Sequence, residues 1–259
     1  MTVLLLRLAG PLQAWGSDAR FTRRGTENAP TKSGVLGLLA AAEGRTRSAD
    51  LSDLAALRYG VRIDQPGTRV RDFHTAHHAD TGRSMPLSER YYLADAVFVA
   101  GVEGEAALIR RLHEAMRAPR FLPYLGRRSC PPSRPLLMGE PLLEQSLEEA
   151  LAHTPWQGSR WYERQLRRSG FPTSEHAAPE PLDLLIDCPP HEAPDFSLRD
   201  SPVSFAPGHR QYELRGIRTS HATTPVHKPT RQAVPVHDPT AVLRAANSLS
   251  RPGTAPDAR

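Results

Sequence analysis

Two adjacent guanidinium groups stand between a glycine and a proline pair in Pro123-Tyr124-Leu125-Gly126-Arg127-Arg128-Ser129-Cys130-Pro131-Pro132, with a tyrosine just upstream. Arginine forks match phosphate oxygens bidentately, and glycine lets a polyanion approach the main chain. Prolines lower the entropy cost of holding a loop in one shape. The Tyr124 ring offers a surface on which an unpaired base can stack. The plain alternative is a solvated turn that happens to carry Arg127 and Arg128.

Three further stretches offer related chemistry. Thr31-Lys32-Ser33-Gly34 precedes an apolar run at helical spacing, so Lys32 and the unpaired N–H groups of a helix start would suit a phosphate. It lacks the G-x-x-x-x-G-K spacing of a phosphate-binding loop, and an ordinary capped helix remains the other reading. Gly10-Pro11-Leu12-Gln13-Ala14-Trp15-Gly16 is a turn whose Trp15 either stacks on a ligand or plugs the core. Arg71-Asp72-Phe73-His74-Thr75-Ala76-His77-His78 admits metal ligation, acid–base work by His74, or an arm touching nucleic acid through Arg71 and His74. The third reading is preferred, because no carboxylate or thiolate pattern completes a metal site.

The chain is mildly basic, with formal charge +5 over 259 residues and a pI near 9.6, which favours an anionic partner. Lys32 and Lys228 are the only lysines. Cys130 and Cys188 are the only cysteines, so neither a disulfide framework nor a thiolate zinc site is indicated. The apolar start lacks a basic flank and is interrupted by Arg7, which argues against a signal peptide or a membrane span. A cytoplasmic protein is expected, without cofactor, metal or membrane partner. Serine-hydrolase, zinc-protease and dinucleotide-binding signatures are absent.

Positioning these residues requires a scaffold. Val3 to Leu6 reads as a strand buried on both faces, and Val35 to Ala42 as a helix capped by Thr31 or Ser33 and ended by Gly44. Tyr59 to Ile63 reads as a second strand. A polar excursion follows over 66–92, then a strand over Asp95 to Ala100 and an amphipathic helix over Glu105 to Arg117. Leu136 to Met138 supplies a fourth strand. The succession β-α-β-β-α-β predicts an α+β, ferredoxin-like fold of the kind that also underlies the RRM sheet. Beyond Glu140, a short helix over Leu143, Leu147 and Leu151 is expected, and strands over Leu182 to Ile186 and Gln211 to Ile217. Arg160 to Arg168 forms a basic stretch with aromatics. The expected division is a palm over 1–140, a smaller irregular β-containing extension over 141–217 packing on it, and a disordered tail over 218–259.

Four ordered motifs carry a family resemblance: Arg7 to Gly16, Pro30 to Leu39, Arg71 to Thr75, and Pro119 to Pro131, with a weaker continuation at Arg199 to Val203 and Arg210 to Tyr212. Together they closely resemble the CasD family, the subunit of the type I-E CRISPR surveillance complex (Cascade) that holds the crRNA 5′ handle. The resemblance implies a ferredoxin-like palm with a β-hairpin thumb, which the 66–92 excursion would supply. It implies partners as well: the single-stranded 5′ handle, the crRNA-coating backbone subunit and the large PAM-reading subunit, with target DNA met only indirectly. The expected RNA-binding set is Gln13, Trp15, Gly16, Lys32, Ser33, Gly34, Arg71, His74, Tyr124, Gly126, Arg127 and Arg128, and no catalytic residue is assigned. In a sister subtype the equivalent subunit is a metal-independent endoribonuclease that matures crRNA. That activity is the alternative here, with His74, Tyr124 and Lys32 as the groups of suitable chemistry.

Overall fold

The computed structural model describes residues 1–17, 22–170, 181–206, 208 and 210–223. In chain order its elements are β1 (Thr2–Ala9), β2 (Leu12–Gln13), β3 (Arg23–Arg24), α1 (Lys32–Glu43), α2 (Ser52–Ala55), β4 (Arg58–Gln65), β5 (Thr68–His74), β6 (Ser88–Ala94), β7 (Val97–Gly104), α3 (Ala106–Arg117), β8 (Leu137–Leu143), α4 (Leu147–His153), α5 (Arg160–Arg168), β9 (Leu182–Asp187), β10 (Phe196–Ser204) and β11 (Gln211–Ala222).

The period of two along β1 explains why its apolar run is unbroken. Leu4, Leu6 and Leu8 face a core built with Val35, Leu36 and Leu39 of α1 and with Ile109 and Leu112 of α3. Val3 and Leu5 face the opposite side, where Leu147, Ala150 and Leu151 of α4 cover them. A strand clothed on both faces has no polar side to show. β1 is the next-to-last strand of a seven-stranded sheet in the order β10-β11-β9-β4-β7-β1-β8. Every neighbouring pair in that sheet runs antiparallel. The fold is therefore mixed α+β. Within it, the four strands that alternate with α1 and α3 stand side by side as β4-β7-β1-β8.

A second, four-stranded sheet holds β2, β6 and β3, with β5 on the free side of β6. The excursion after Gln65 is an antiparallel β5–β6 hairpin in which Arg71 lies opposite Tyr91 and His74 opposite Ser88. Its outer strand is exposed along most of its length, as its polar composition requires. The hairpin's inner end is anchored where β2 pairs Leu12 with Ala94 and Gln13 with Leu93.

α1 runs where the spacing put it. The Thr31 side chain accepts the Gly34 N–H, and Gly44 closes the helix in the left-handed region. Several other expectations are corrected. β7 starts at Val97, because Asp95 turns the chain with φ 56°. β8 extends to Leu143, a residue expected in a helix. α4 instead begins after Ser146, whose side chain and that of Glu149 form a reciprocal capping box. The basic stretch is the helix α5, capped by Ser159, and β10 lies in a segment with no expected strand. The tail expected from Arg218 is corrected over its first residues. Arg218 to Ala222 continue β11 along β9, and the Thr219 N–H is held at 2.7 Å by the Asp195 carboxylate. A paired ladder and that side-chain bond satisfy the backbone where composition alone suggested disorder. The rest of the expected tail, 224–259, lies outside the described residues.

Candidate nucleic-acid interface

The Trp15 turn is built around a saturated buried amide. Gln13 Nε2 donates to the Leu8 carbonyl at 3.1 Å and to the Ala96 carbonyl at 2.7 Å, while its Oε1 accepts the Trp15 indole N–H at 3.1 Å. No polar atom of either side chain is left over, which is what burial demands. Trp15 is 1% exposed and packs on the first turn of α1: a Cβ on Gly34 would come within 2.8 Å of its ring. Gly34 is thus required for a close approach, and Trp15 is the core plug rather than an open stacking platform.

The bend at 124–128 packs on the same turn. The Ala14 N–H donates to the Leu125 carbonyl at 3.1 Å, and the Cys130 N–H returns to the Arg127 carbonyl at 2.8 Å. Gly126 sits at φ 82°, and a Cβ there would run into the Ala14 carbonyl. Leu125 and Cys130 are buried beneath the bend. Burial pushes the Cys130 thiol up from its ordinary value, so it stays a small apolar anchor.

The paired arginines diverge. Arg127 turns back over the Tyr92 ring, 4.7 Å from its centroid. It donates to the carbonyls of Tyr91 at 3.1 Å, Arg24 at 2.9 Å and Gly25 at 3.3 Å. Its task is to fasten the bend to the hairpin and to β3. Arg128 is exposed. Gly16, Gly126, Arg71 and His74 are also open, while Tyr124 and Gly34 are half-buried.

The leading turn of α1 is already filled. The Lys32 N–H donates to Asp200 Oδ2 at 2.7 Å, and the Lys32 amine pairs with Asp187 at 2.9 Å. Arg215 bridges both carboxylates, at 2.8 Å to Asp200 and 2.7 Å to Asp187. Lys32, Ser33, Asp200 and Arg215 are all buried. The anion drawn to this helix end is the chain's own Asp200. Of the expected RNA-binding set, Gln13, Trp15, Lys32 and Ser33 are therefore buried. The hydrogen bonds of Arg127 likewise make it a fastener.

Two exposed arginines lie outside the expected RNA-binding set. Arg23 and Arg24 of β3 lie alongside Glu89 and Arg90 of β6, so Arg24 and Arg90 are adjacent like charges. The Arg90 Nε is buried without a partner among the described residues. Arg23 stacks over Tyr91 at 5.6 Å. The consecutive arginines at 23 and 24 were the available signal; the register beside Arg90 had none. On the hairpin, His77 meets Ser84 at 3.4 Å and His78 lies 4.0 Å from Asp80. Among the described residues no three His, Cys, Asp or Glu side chains gather as a metal site, and no helix is long and apolar enough to cross a membrane.

Exposed arginines on a mixed α+β scaffold suit a protein that meets a polyanion, and comparison with known proteins narrows that class to CRISPR-associated proteins. The family model described as CRISPR-associated protein (Cas_Cas5) matches residues 3–218. The "CRISPR system Cascade subunit CasD" of Escherichia coli (strain K12) is 36% identical over 203 residues, covering 70% of this chain and 89% of that protein. A solved structure titled "Crystal structure of Cas protein" is similar with TM-score 0.66 at 38% identity, covering 88% of this chain and 100% of its own. A chain of a "CRISPR RNA-guided surveillance complex" aligns with TM-score 0.70 at 31% identity, covering 88% of this chain and 95% of that one. The chain belongs to the CasD/Cas5 family of CRISPR-associated proteins.

Proposed function

We propose that this chain is a subunit of a type I-E Cascade in the cytoplasm, where it grips the single-stranded 5′ handle of crRNA and caps that end of the assembly. One observation carries the reading. The Trp15 turn, the start of α1 and the 124–128 bend are packed on one another, and Arg127 ties them to the β5–β6 hairpin. Gly16, Gly126 and Arg128 are exposed on these segments, as are Arg71 and His74 on the hairpin and Arg23 and Arg24 on β3. The β1, α1, β4, β7, α3 and β8 elements act as a ferredoxin-like palm and the hairpin as its thumb. The 141–217 extension widens the palm's sheet.

In this reading Arg128, Arg71 and the β3 arginines neutralise handle phosphates, and the Gly126 backbone allows close approach. Half-buried Tyr124 is the stacking surface left once Trp15 is assigned to the core. The backbone subunit and the large PAM-reading subunit are the protein partners, and target DNA is met only through them. The role is binding rather than cutting. Of the three groups suited to endoribonuclease chemistry, Lys32 is inside the protein on Asp187, which withdraws it from any exposed RNA.

Labelled repeat RNA mixed with the purified chain in EDTA, with binding and cleavage scored in one gel, tests this. Retention of intact RNA, weakened by a scrambled handle and by Arg128→Ala, is expected. Cleavage that disappears in His74→Ala would establish the nuclease reading instead.

A further inference from the structure

The handle contacts leave unused a hollow of about 320 Å³ beside the Gly10–Pro11 turn, walled by Ser133 and Arg134 and by Ser159 and Trp161 at the start of α5. Arg7 of β1 lies near Arg134. Its Nη groups donate to Gln157 Oε1 and to the Pro135 carbonyl, both at 3.2 Å, and its buried Nε has no partner among the described residues. Burial, and then the nearby Arg134, hold the Arg7 guanidinium below its ordinary value. Arg7 and Arg134 crowd positive charge here, and Asp95 is the acid among the residues that line the hollow.

α5 continues this surface. Its inner side buries Glu163 and Leu166, while Arg160, Arg164 and Arg168 are exposed at four-residue steps. Each step climbs about 6 Å, so the three form one ridge. None of them makes an ion pair among the described residues, and like charges four apart destabilise a helix. Trp161 is 45% exposed at the head of the ridge, and it is the one large apolar side chain that α5 shows to solvent. A protein partner would want an apolar centre with charges at its rim. An exposed aromatic among arginines, set edge-to-face with Tyr162 at 5.9 Å between ring centroids, fits base stacking beside phosphate contacts.

We infer that the hollow and the α5 ridge form a second contact surface for an unpaired polynucleotide strand, with Trp161 stacking on a base and Arg134, Arg160 and Arg164 holding phosphates. The inference does not rest on the handle reading. RNA and DNA strands share this chemistry, so both are used as probes.

The full chain is titrated with labelled oligo(U) and oligo(dT) of equal length, neither carrying a repeat sequence. Anisotropy is followed against salt and tryptophan emission against strand concentration. Quenching of Trp161 is expected. Trp161→Ala should weaken binding roughly tenfold and abolish that part of the quench. Combined Arg134→Ala, Arg160→Ala and Arg164→Ala should flatten the salt slope by about 2, at about 0.7 per contact. Arg128→Ala should leave the quench intact. Tighter binding of one probe would name the strand. Binding of neither probe, or parental affinity and slope in both the Trp161 and the triple variants, would overturn the inference whatever the Arg128 variant does to handle binding.

Discussion

The first turn of α1 and the Gly126–Arg128 bend carry the same ingredients in sequence: a cation, a glycine, and backbone N–H groups able to meet a phosphate. Folding treats them oppositely. At α1, Asp187 and Asp200 arrive from 155 and 168 residues further along the chain and neutralise Lys32 and the helix end, with Arg215 locking both in place. At the bend no carboxylate among the described residues pairs with Arg127 or Arg128. Arg127 is satisfied by carbonyls, which leave its charge in place, and Arg128 stays open. Whether a cation is structural or available is decided by which acids the topology brings to it.

The largest effect separating the two regions should come from Arg215→Met. It leaves Asp187 and Asp200 short of a partner inside the protein, at a cost of about 3–5 kcal/mol in urea unfolding. A loss below about 1 kcal/mol would mean that the cluster is hydrated and the α1 end open. Next is Gly126→Ala, which meets both the positive φ and the Ala14 carbonyl. A loss of more than about 1 kcal/mol is expected, with weaker handle binding as the bend leaves the Trp15 turn. Thr31→Ala removes the α1 cap and should cost about 1 kcal/mol, with no change in RNA affinity among folded molecules.

The smallest effect concerns acid. Asp195 is held below the usual carboxylate range, first by the Thr219 hydroxyl and then by the Thr219 N–H. A depressed carboxylate adds stability above its unfolded value and loses it as pH falls through the folded one. The urea midpoint of Asp195→Ala should therefore lie below the parent's at neutral pH, and the two should converge in strong acid. A gap that persists in acid would assign the effect to something other than this titration.

Much of the framework was legible in residue patterns. The doubly buried β1 announced itself by an unbroken apolar run, α1 by its Thr31 cap and Gly44 stop, and α3 by its inward Ile109 and Leu112. Ser146 and Glu149 already spelled the α4 capping box, though the leucine spacing drew the expectation earlier, to Leu143. The site was less legible, because a sequence gives a residue's type and not its direction. Trp15 and Gln13 stand in one turn with Gly16 yet point inward, since the Leu8 and Ala96 carbonyls need the Gln13 amide. Lys32 could not be known as buried without Asp187, which reaches it only through the sheet order. The extent of β11 past Arg218 depended on β9 as a pairing partner, which no local composition reveals.

The central claim is that the cation at the bend meets RNA while the cation at α1 does not. It is tested most directly by the salt dependence of handle-RNA binding in Arg128→Ala and Lys32→Met, measured side by side on folded protein. The Arg128 variant should lower the slope of log affinity against log salt by about 0.7, and the Lys32 variant should keep the parental slope. A parental slope in the Arg128 variant together with a reduced one in the Lys32 variant would contradict the account.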